Sequence, residues 1–214
     1  MKKILLAILV IVAAFLVFVG LKNKKSEILI SENLDNNTQA TKEKETEAHG
    51  ILGYVSNDQV GIFKINAPVP DQDTLSRNGY SIDETTSSAE GDPYKLYTVS
   101  KDGKIVLTFA VFTADKISEI RVKSSEFRTR EDIAVGSTLS DFIKAYPNYK
   151  LWYTAEEGEK FILNTTKDAA TPQFFLYRND LVNPKGEFYK TEIKVPDFKA
   201  DAKINDIRVF YYPY

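Results

Sequence analysis

The sequence predicts an α+β protein: an antiparallel β-sheet domain with two short helices, arranged as two similar repeated halves, plus an N-terminal transmembrane helix. Three observations support this prediction. Short apolar or alternating runs recur between turn signals throughout 51–214, which is typical of antiparallel strands. Two segments carry helix-capping residues before a helical apolar stripe. A nine-residue pattern at 114–122 also recurs at 201–209.

The composition is that of a folded protein rich in strands. The chain has 214 residues, of which 43% are apolar, and its 12 Tyr and 13 Phe accompany a single Trp. Aromatic enrichment favours β-structure. The formal net charge is −2, so no overall positive field attracts nucleic acid, and we expect no nucleic-acid partner.

The absence of cysteine excludes several classes of chemistry. With no Cys in the sequence, there is no disulfide framework, thiolate nucleophile, cysteine-ligated metal or lipid-acceptor cysteine. The single histidine, His49, lies at the end of a polar stretch. We interpret His49 as a solvated residue of that stretch.

The N-terminus predicts a membrane anchor in 1–25. Residues 4–21 (ILLAILVIVAAFLVFVGL) carry no charge and approach the roughly 20 residues that span a bilayer. Large residues stand where a signal peptidase prefers small ones, which favours an uncleaved signal anchor over a cleaved signal peptide. Lysines flank the run on both sides, so the charge comparison is nearly even. A short tail before a large domain favours a cytoplasmic N-terminus.

The predicted location is therefore the bacterial inner membrane, crossed once, with the C-terminal domain outside the cytoplasm. Residues 26–50 have almost no apolar side chain in their second half, so they cannot repay the entropy of ordering. We interpret them as a flexible polar linker. The folded domain is then 51–214.

The first part of the domain predicts a hairpin, a helix and four strands. Ser56-Asn57-Asp58 signals a turn within 51–65, and Asp73 or Thr74 caps a helix that ends at Gly79. A strand begins at Tyr80. A polar stretch at 83–92 follows. After it we predict strands at 94–100 and 105–113 around an Asp102-Gly103 turn, a turn at 114–116, and a strand at 117–122.

The second part repeats this arrangement. Ser137 or Thr138 caps a helix whose apolar stripe ends at Tyr146, and Pro147 terminates it. The stripe consists of Leu139, Phe142, Ile143 and Tyr146. The predicted strands here are 133–135, 149–153, 161–163, 173–177, an edge strand in 187–195, and a terminal strand at 203–212 that pairs inside the sheet.

An internal duplication is predicted from the order of these elements. ADK-ISEIRV (114–122) aligns without a gap with DAK-INDIRV (201–209), and earlier runs match in the same order. The predicted repeats are 60–122 and 132–209. Arg121 and Arg208 then become equivalent, either as a cationic pair at a pseudo-twofold site or as ordinary surface charges. We expect surface charges.

The patterns I-x-x-I-x-V, S-x-x-F-x-T and I-x-V-G-S-T, followed by a short helix ending in Y-P, resemble uncharacterised bacterial envelope proteins of the sigma-E-regulated lipoprotein family. The matching residues are Ile117, Ile120, Val122, Ser124, Phe127, Thr129, Ile133, Val135, Gly136, Ser137, Thr138, Tyr146 and Pro147. The chain departs from the family in lacking a lipidated cysteine and in having Asp132 before Ile133, where a glycine is expected. The resemblance implies an envelope location and a compact α+β domain, and it implies no catalytic residues.

Acidic clusters are the main candidates for chemistry. A glycosidase-like carboxylate pair must face a cleft, whereas these clusters lie in predicted turns. Asp71 and Asp73 have the first spacing of a calcium loop, without its glycine and later glutamate. The clustered carboxylates are Glu131 with Asp132, and Glu156 with Glu157 and Glu159. We expect solvated charge at all of them.

The expected function is therefore a non-catalytic, membrane-anchored cell-envelope protein that binds or scaffolds a ligand or envelope protein between its two halves. We predict no catalytic, cofactor-binding or metal-binding residues, and no cofactor. The alternative is an envelope hydrolase that uses acidic turn residues: Glu90, Glu156, Glu157 and Glu159. A third possibility is a structural partner that associates through Tyr211–Tyr214.

Overall fold

The computed structural model describes residues 53–89, 92–112, 114–155, 160–168, 170–185 and 192–211. The predicted anchor (1–25) and linker (26–50) lie outside these residues, as does His49. In the described ranges, no helix has the length and apolarity needed to cross a membrane.

The described domain is an α+β fold with an eight-stranded antiparallel sheet and two short helices, as the sequence predicts. The helices are α1 (Gln72–Arg77) and α2 (Leu139–Ala145). A small hairpin precedes α1 and consists of β1 (Gln59–Val60) and β2 (Phe63–Lys64). The sheet strands are β3 (Tyr80–Ala89), β4 (Asp92–Lys101), β5 (Lys104–Val111), β6 (Glu119–Val122), β7 (Lys150–Thr154), β8 (Lys160–Asn164), β9 (Gln173–Tyr177) and β10 (Asp206–Phe210).

The sheet consists of two four-stranded meanders that meet at its centre. Its strand order is β3-β4-β5-β6-β10-β9-β8-β7, and every neighbouring pair is antiparallel. We call β3–β6 the first meander and β7–β10 the second; α1 precedes the first and α2 the second. The terminal strand β10 pairs with both β6 and β9, so the prediction that it lies inside the sheet is confirmed.

Residue pairing at the junction is symmetric about one pair. Arg208 lies directly opposite Arg121, while Ile207 faces Val122 and Val209 faces Ile120. The pairing register within each meander also matches, since Thr108 faces Arg121 as Gln173 faces Arg208. The register therefore repeats about the Arg121–Arg208 pair.

The cap of α1 lies earlier than predicted. Asp71 accepts a hydrogen bond from Thr74 N at 2.7 Å, so Asp71, and neither Asp73 nor Thr74, is the N-cap. An N-cap residue needs a side-chain oxygen that accepts a hydrogen bond and a backbone in the extended conformation. Asp71 has both, with ψ of 161°. The helix ends before Gly79, whose φ of +75° only glycine adopts without cost, as predicted.

The polar stretch at 83–92, to which the sequence assigns no element, is strand for most of its length. Strand β3 continues to Ala89 and pairs residue for residue with β4. Polar side chains are tolerated because β3 is an edge strand, half of whose side chains face solvent. The paired backbone of a long hairpin outweighs the low strand propensity of these residues.

The second helix has the predicted cap. Asp141 N donates to Thr138 Oγ1 at 3.1 Å, and the Thr138 hydroxyl donates to Asp141 Oδ2 at 2.6 Å. Leu139 and Phe142 are buried, as the stripe predicts. The short strand predicted at 133–135 is wrong, because only Ala134 bridges, to Arg128, in an otherwise irregular connection. The predicted edge strand at 187–195 falls largely outside the described residues.

The core lies on the helical face of the sheet. Side chains alternate along each strand, so Ile120, Val122, Ile207 and Val209 face the helices while the arginines between them face the other way. Phe142 of α2 packs on Phe174 with ring centroids 4.9 Å apart. Residues 123–138 connect the meanders, and Phe127 is fully buried there. This connection carries one of the two candidate sites.

Candidate binding sites between the meanders

A cleft of about 450 Å³ lies where the connection meets the segment before β1 and the second meander. We call it the inter-meander cleft. Two parts of its wall, 54–58 and 129–131, are joined by the hydrogen bond from Val55 N to Arg128 O and by the bridge between Tyr54 and Arg128. The lining residues are Tyr54, Val55, Ser56, Asn57, Asp58, Thr129, Arg130, Glu131, Tyr146, Thr165 and Pro172.

A hydrogen-bonded tyrosine fixes the centre of the cleft. Tyr146 Oη lies 2.6 Å from Glu131 Oε2 and 2.8 Å from Thr129 Oγ1. A phenol has one hydrogen and an ionised carboxylate only accepts, so Tyr146 donates to Glu131 and the Thr129 hydroxyl donates to Tyr146. Thr129 also accepts from Ile133 N at 3.2 Å. The end of α2 is thereby joined to the connection.

The same contacts keep Tyr146 protonated. Burial raises the pKa of Tyr146, and the hydrogen bond to Glu131 raises it further. The phenol therefore stays neutral at physiological pH and acts as a donor rather than as a base. In the cleft, the Tyr146 hydroxyl holds one carboxylate oxygen of Glu131 against the wall.

The lining offers donors, acceptors and an aromatic ring. Arg130 supplies hydrogen-bond donors, Asp58 and Glu131 supply acceptors, and the neighbouring hydroxyls do both. Tyr54 is 39% exposed, so part of its ring is open to a ligand. The cleft is within the 300–1,000 Å³ range of small-molecule sites, although it is more polar than most.

A second polar site lies on the opposite face of the sheet, around the central arginine pair. We call Glu119, Arg121 and Arg208 the arginine seam. Glu119 pairs with Arg121 on β6 and lies 3.8 Å from Arg208 Nε on β10. The side chains of Arg121 and Arg208 are only 14% and 19% exposed. They alternate with core residues along their strands, as expected, but they are less exposed than ordinary surface charges.

Aromatic rings complete the surroundings of the seam. The Arg208 guanidinium lies 4.6 Å from the Phe210 ring centroid and 6.0 Å from that of Phe175. Arg121 lies 5.9 Å from the same Phe175 centroid. Such contacts stabilise a cation whose hydration has been reduced.

Unpaired polar atoms surround Arg208. Arg208 Nε, Gln173 Oε1 and Asp206 Oδ1 are buried without a hydrogen-bond partner. Gln173 and Asp206 are 5% and 1% exposed. The other oxygen of Asp206 accepts from Lys123 Nζ at 2.5 Å and from Tyr177 Oη at 3.3 Å. An unpaired buried donor or acceptor costs about 1–3 kcal/mol, so an arrangement of three is unusual.

The acidic residues singled out in the sequence do not form one site. Asp71 caps α1 and Asp73 lies in its first turn, which accounts for their calcium-like spacing. Glu131 lines the inter-meander cleft, whereas Asp132 pairs with Arg128 at 2.9 Å and is solvent-exposed. The remaining candidates lie outside the described residues: Glu90, Glu156, Glu157 and Glu159. Among the described residues, no group of three or more acidic or histidine side chains could hold a metal ion.

Sequence reasoning missed the polar partners at both sites. Tyr146 appears in the sequence as the last residue of an apolar stripe, although a tyrosine at a helix end often uses its hydroxyl. Asp206 and Gln173 appear as ordinary polar residues at strand starts. The one signal in the sequence was spacing: Asp206 stands two residues before Arg208, so strand alternation places both side chains on the same face.

Comparison with known proteins supports the fold and gives no function. No protein-family model matches the chain, and no curated protein matches it. Among solved structures, the chain is similar to the crystal structure of the uncharacterised protein YfeY from Escherichia coli, with a TM-score of 0.50 at 16% identity. The match covers 74% of this chain and 99% of that one. At this identity the likeness shows a shared fold.

Proposed function

We propose that the chain is a non-catalytic, membrane-anchored protein of the bacterial cell envelope whose domain binds a saccharide of the envelope in the inter-meander cleft. The observation that carries the proposal is the hydrogen-bonded Tyr146–Glu131 pair inside a cleft of about 450 Å³. The pair is polar, and Arg130 lines the same cleft, which suits recognition of a neutral or weakly charged ligand.

The lining matches the chemistry of sugar hydroxyls. A hydroxyl both donates and accepts, and the cleft presents acceptors at Asp58 and Glu131, donors at Arg130, and hydroxyls at Ser56 and Thr129. The partly exposed ring of Tyr54 offers an apolar face on which a pyranose ring can rest. These groups recognise hydroxyl patterns without needing a net charge on the ligand.

The envelope location comes from the sequence. Residues 4–21 are long enough and apolar enough to anchor the chain, and the motif resemblance to sigma-E-regulated lipoproteins agrees with an envelope protein. The similar protein from Escherichia coli supports the fold that this resemblance implies. We propose one membrane crossing by residues 4–21, with the domain on the far side from the cytoplasm.

The binding proposal is tested by sedimenting purified cell-wall sacculi with the detergent-solubilised full-length protein. We expect the wild type to co-sediment and to be released by soluble disaccharide fragments of the wall. Tyr54→Ala should reduce retention at least tenfold, because it removes the ring. Tyr211→Ala changes a tyrosine that is also exposed but outside the cleft, and it should have no effect. Equal retention of Tyr54→Ala and wild type would contradict the proposal. Capture of a protein instead of glycan would show that the ligand is a protein and not a saccharide.

The location is tested by labelling intact cells with a membrane-impermeant maleimide. The chain has no Cys, so Asp102→Cys in the exposed β4–β5 turn provides a single reactive site. If the domain faces the periplasm, we expect Asp102→Cys to be labelled in cells whose outer layer has been made permeable and whose inner membrane is intact. Labelling only after the inner membrane is lysed would overturn the orientation.

We further propose that the two meanders descend from one duplicated unit. The same order of helix and four strands occurs in both, and the residue pairing repeats about Arg121 and Arg208. The structure shifts the alignment of the helices: the N-cap Asp71 corresponds to the N-cap Thr138, so the Thr-Leu-Ser match at 74–76 and 138–140 is three residues out of register. In this interpretation the inter-meander cleft lies beside the second copy, since Tyr146, Thr165 and Pro172 of that copy line it together with residues from 54–58 and 129–131.

A further inference from the structure

We propose that the outer edge of strand β3 pairs with β3 of a second molecule of this chain, the partner subunit, to form a symmetric antiparallel dimer. Strand β3 stands first in the strand order of the sheet, so among the described residues only β4 pairs with it. An edge strand exposes a row of backbone N–H and C=O groups that another strand can use. This surface is separate from the inter-meander cleft, to which no residue of β3 contributes.

The β3 edge lacks the features that usually prevent such pairing. Proteins protect the edges of their sheets with short strands, lysine, proline or bulges. Strand β3 has 10 residues, contains neither lysine nor proline, and pairs with β4 without a register shift. The opposite edge strand, β7, has 5 residues and begins with Lys150. Of the two edges, β3 is therefore the one that a second strand can follow furthest.

The alternation of the backbone decides which residues of β3 can pair outward. Ala110 O accepts from Ser118 N on the side of β6, so the backbone groups of Leu96, which lies opposite Ala110, point toward β3. The Thr85 hydroxyl also donates to Leu96 O, at 3.2 Å. Leu96 faces Thr85, so these two residues form a hydrogen-bonded pair. Hydrogen-bonded and non-hydrogen-bonded positions alternate along a strand, so the even-numbered residues of β3 direct their N–H and C=O outward.

Symmetry and charge then select one register. Hydrogen-bonded pairs between the subunits must join even-numbered residues to even-numbered residues. A twofold axis at Glu84 would place two carboxylates directly opposite each other, which is unfavourable. With the axis at Thr85, Glu84 lies opposite Thr86 of the partner subunit. Asp83 then lies opposite Ser87 of the partner subunit, so each carboxylate faces a hydroxyl and no like charges meet.

This register joins the two sheets over residues 82–88. The outward-facing residues in this range are Ile82, Glu84, Thr86 and Ser88, so the two subunits form roughly eight backbone hydrogen bonds. Thr85 meets Thr85 of the partner subunit at the centre, in a non-hydrogen-bonded pair where side chains approach closely. Two threonines are a favourable cross-strand pair. The dimer has one continuous sheet, to which each subunit contributes its 8 strands.

Cysteine cross-linking tests the pairing, because the chain has no Cys of its own. Thr85→Cys places two thiols at a non-hydrogen-bonded pair, where Cα atoms lie about 4.5 Å apart and a disulfide can form. The test uses purified full-length protein in detergent with a mild oxidant. We expect Thr85→Cys to form disulfide-linked dimer at least tenfold faster than Asp102→Cys, which controls for random collision because it lies in an exposed turn. Equal rates for the two variants would overturn the dimer.

A mixture of two variants tests the register. Asp83→Cys and Ser87→Cys lie opposite each other across the proposed interface, so the mixture should cross-link when one variant carries a larger tag and the subunits have exchanged. Neither variant should cross-link alone, because each thiol lies about 13 Å along the strand from its own counterpart. Cross-linking of Asp83→Cys with Thr85→Cys, but not with Ser87→Cys, would contradict the axis at Thr85.

Charge substitutions test the same contact without moving the thiol. Ser87 faces Tyr94 within its own sheet and Asp83 of the partner subunit across the interface. In the Thr85→Cys background at low ionic strength, Ser87→Lys should speed cross-linking and Ser87→Asp should slow it, each by about threefold or more. Tyr54→Ala changes only the cleft and should leave the rate unchanged. The same rate for Ser87→Lys and Ser87→Asp would contradict the proposed pairing.

Discussion

Ile117 and Ile204 each exchange two backbone hydrogen bonds with the segment that precedes the helix of their own meander. In both cases the isoleucine is buried and stands two residues before its strand. The order and direction of the bonds are the same in the two meanders. The four bonds run from Ile117 N to Ala67 O (2.9 Å), Asn66 N to Ile117 O (2.8 Å), Ile204 N to Ser137 O (2.9 Å) and Gly136 N to Ile204 O (2.8 Å).

The correspondence pairs Asn66 with Gly136, and both have left-handed backbone, at φ +64° and +90°. We therefore predict that Gly136→Ala lowers the free energy of unfolding by about 1–2 kcal/mol, while Gly136→Asn costs less because asparagine tolerates this region. No heavy atom lies within 4 Å of where a Cβ would stand, so the cost comes from the backbone alone. Urea unfolding measures it, and an alanine variant as stable as the wild type would contradict it.

The cap of α2 predicts a second stability change. Thr138→Ala leaves Asp141 N without its acceptor and should lower the free energy of unfolding by about 1 kcal/mol. Ser140→Ala, at an exposed position of the same helix, is the control and should change it by less than about 0.5 kcal/mol. Equal effects of the two substitutions would show that the threonine has no capping role.

Several strands and the cap of α2 were predictable because their signals are local. The run at β9 was predicted to the residue, and Asp102-Gly103 forms the predicted tight turn with φ of +51° and +71°. Thr138 and Phe142 took the predicted cap and core positions. Each of these outcomes depends on residues that are close in the sequence.

The sites were less predictable because they depend on pairings between distant segments. Tyr146 reaches Glu131 across 15 residues, and Lys123 reaches Asp206 across 83. The equivalence of Arg121 and Arg208 followed from the repeat, but their direct pairing required the two meanders to meet through β6 and β10. The polar residues of β3 carry no strand signal of their own, although an edge strand tolerates them.

The aromatic core predicts a large effect at Phe142. This side chain is fully buried and packs against the rings of Phe174 and Tyr146, with centroids 4.9 Å and 5.0 Å away. Phe142→Ala should lower the free energy of unfolding by about 3–5 kcal/mol, since it removes apolar contacts and leaves a cavity. Ile105→Ala removes a side chain that is 56% exposed and should cost far less. Denaturant unfolding distinguishes them, and similar midpoints would contradict the packing.

The last prediction concerns alkaline pH. Burial and the hydrogen bond to Glu84 raise the pKa of Tyr97 from 10.0 to about 12, and burial with the nearby Glu126 carboxylate raises that of Tyr80 to about 12 as well. A tyrosine whose folded-state pKa is raised contributes full stability below pH 10, where both states are protonated. Between about pH 10 and 12 the unfolded chain loses the proton first, so the free energy of unfolding falls.

Each of these tyrosines lowers the free energy of unfolding across that interval, and the loss is smaller for Tyr97, whose hydroxyl lies nearer to solvent. Tyr97→Phe cannot ionise, so its free energy of unfolding should fall less steeply than that of the wild type above pH 10, while Tyr80 maintains part of the slope. Urea unfolding at pH 8, 10 and 11 measures the difference, with Tyr211→Phe, an exposed tyrosine, as the control. Parallel pH profiles for Tyr97→Phe and the wild type would contradict the protonated Tyr97–Glu84 hydrogen bond, because a phenol that ionises equally in both states adds nothing to the slope.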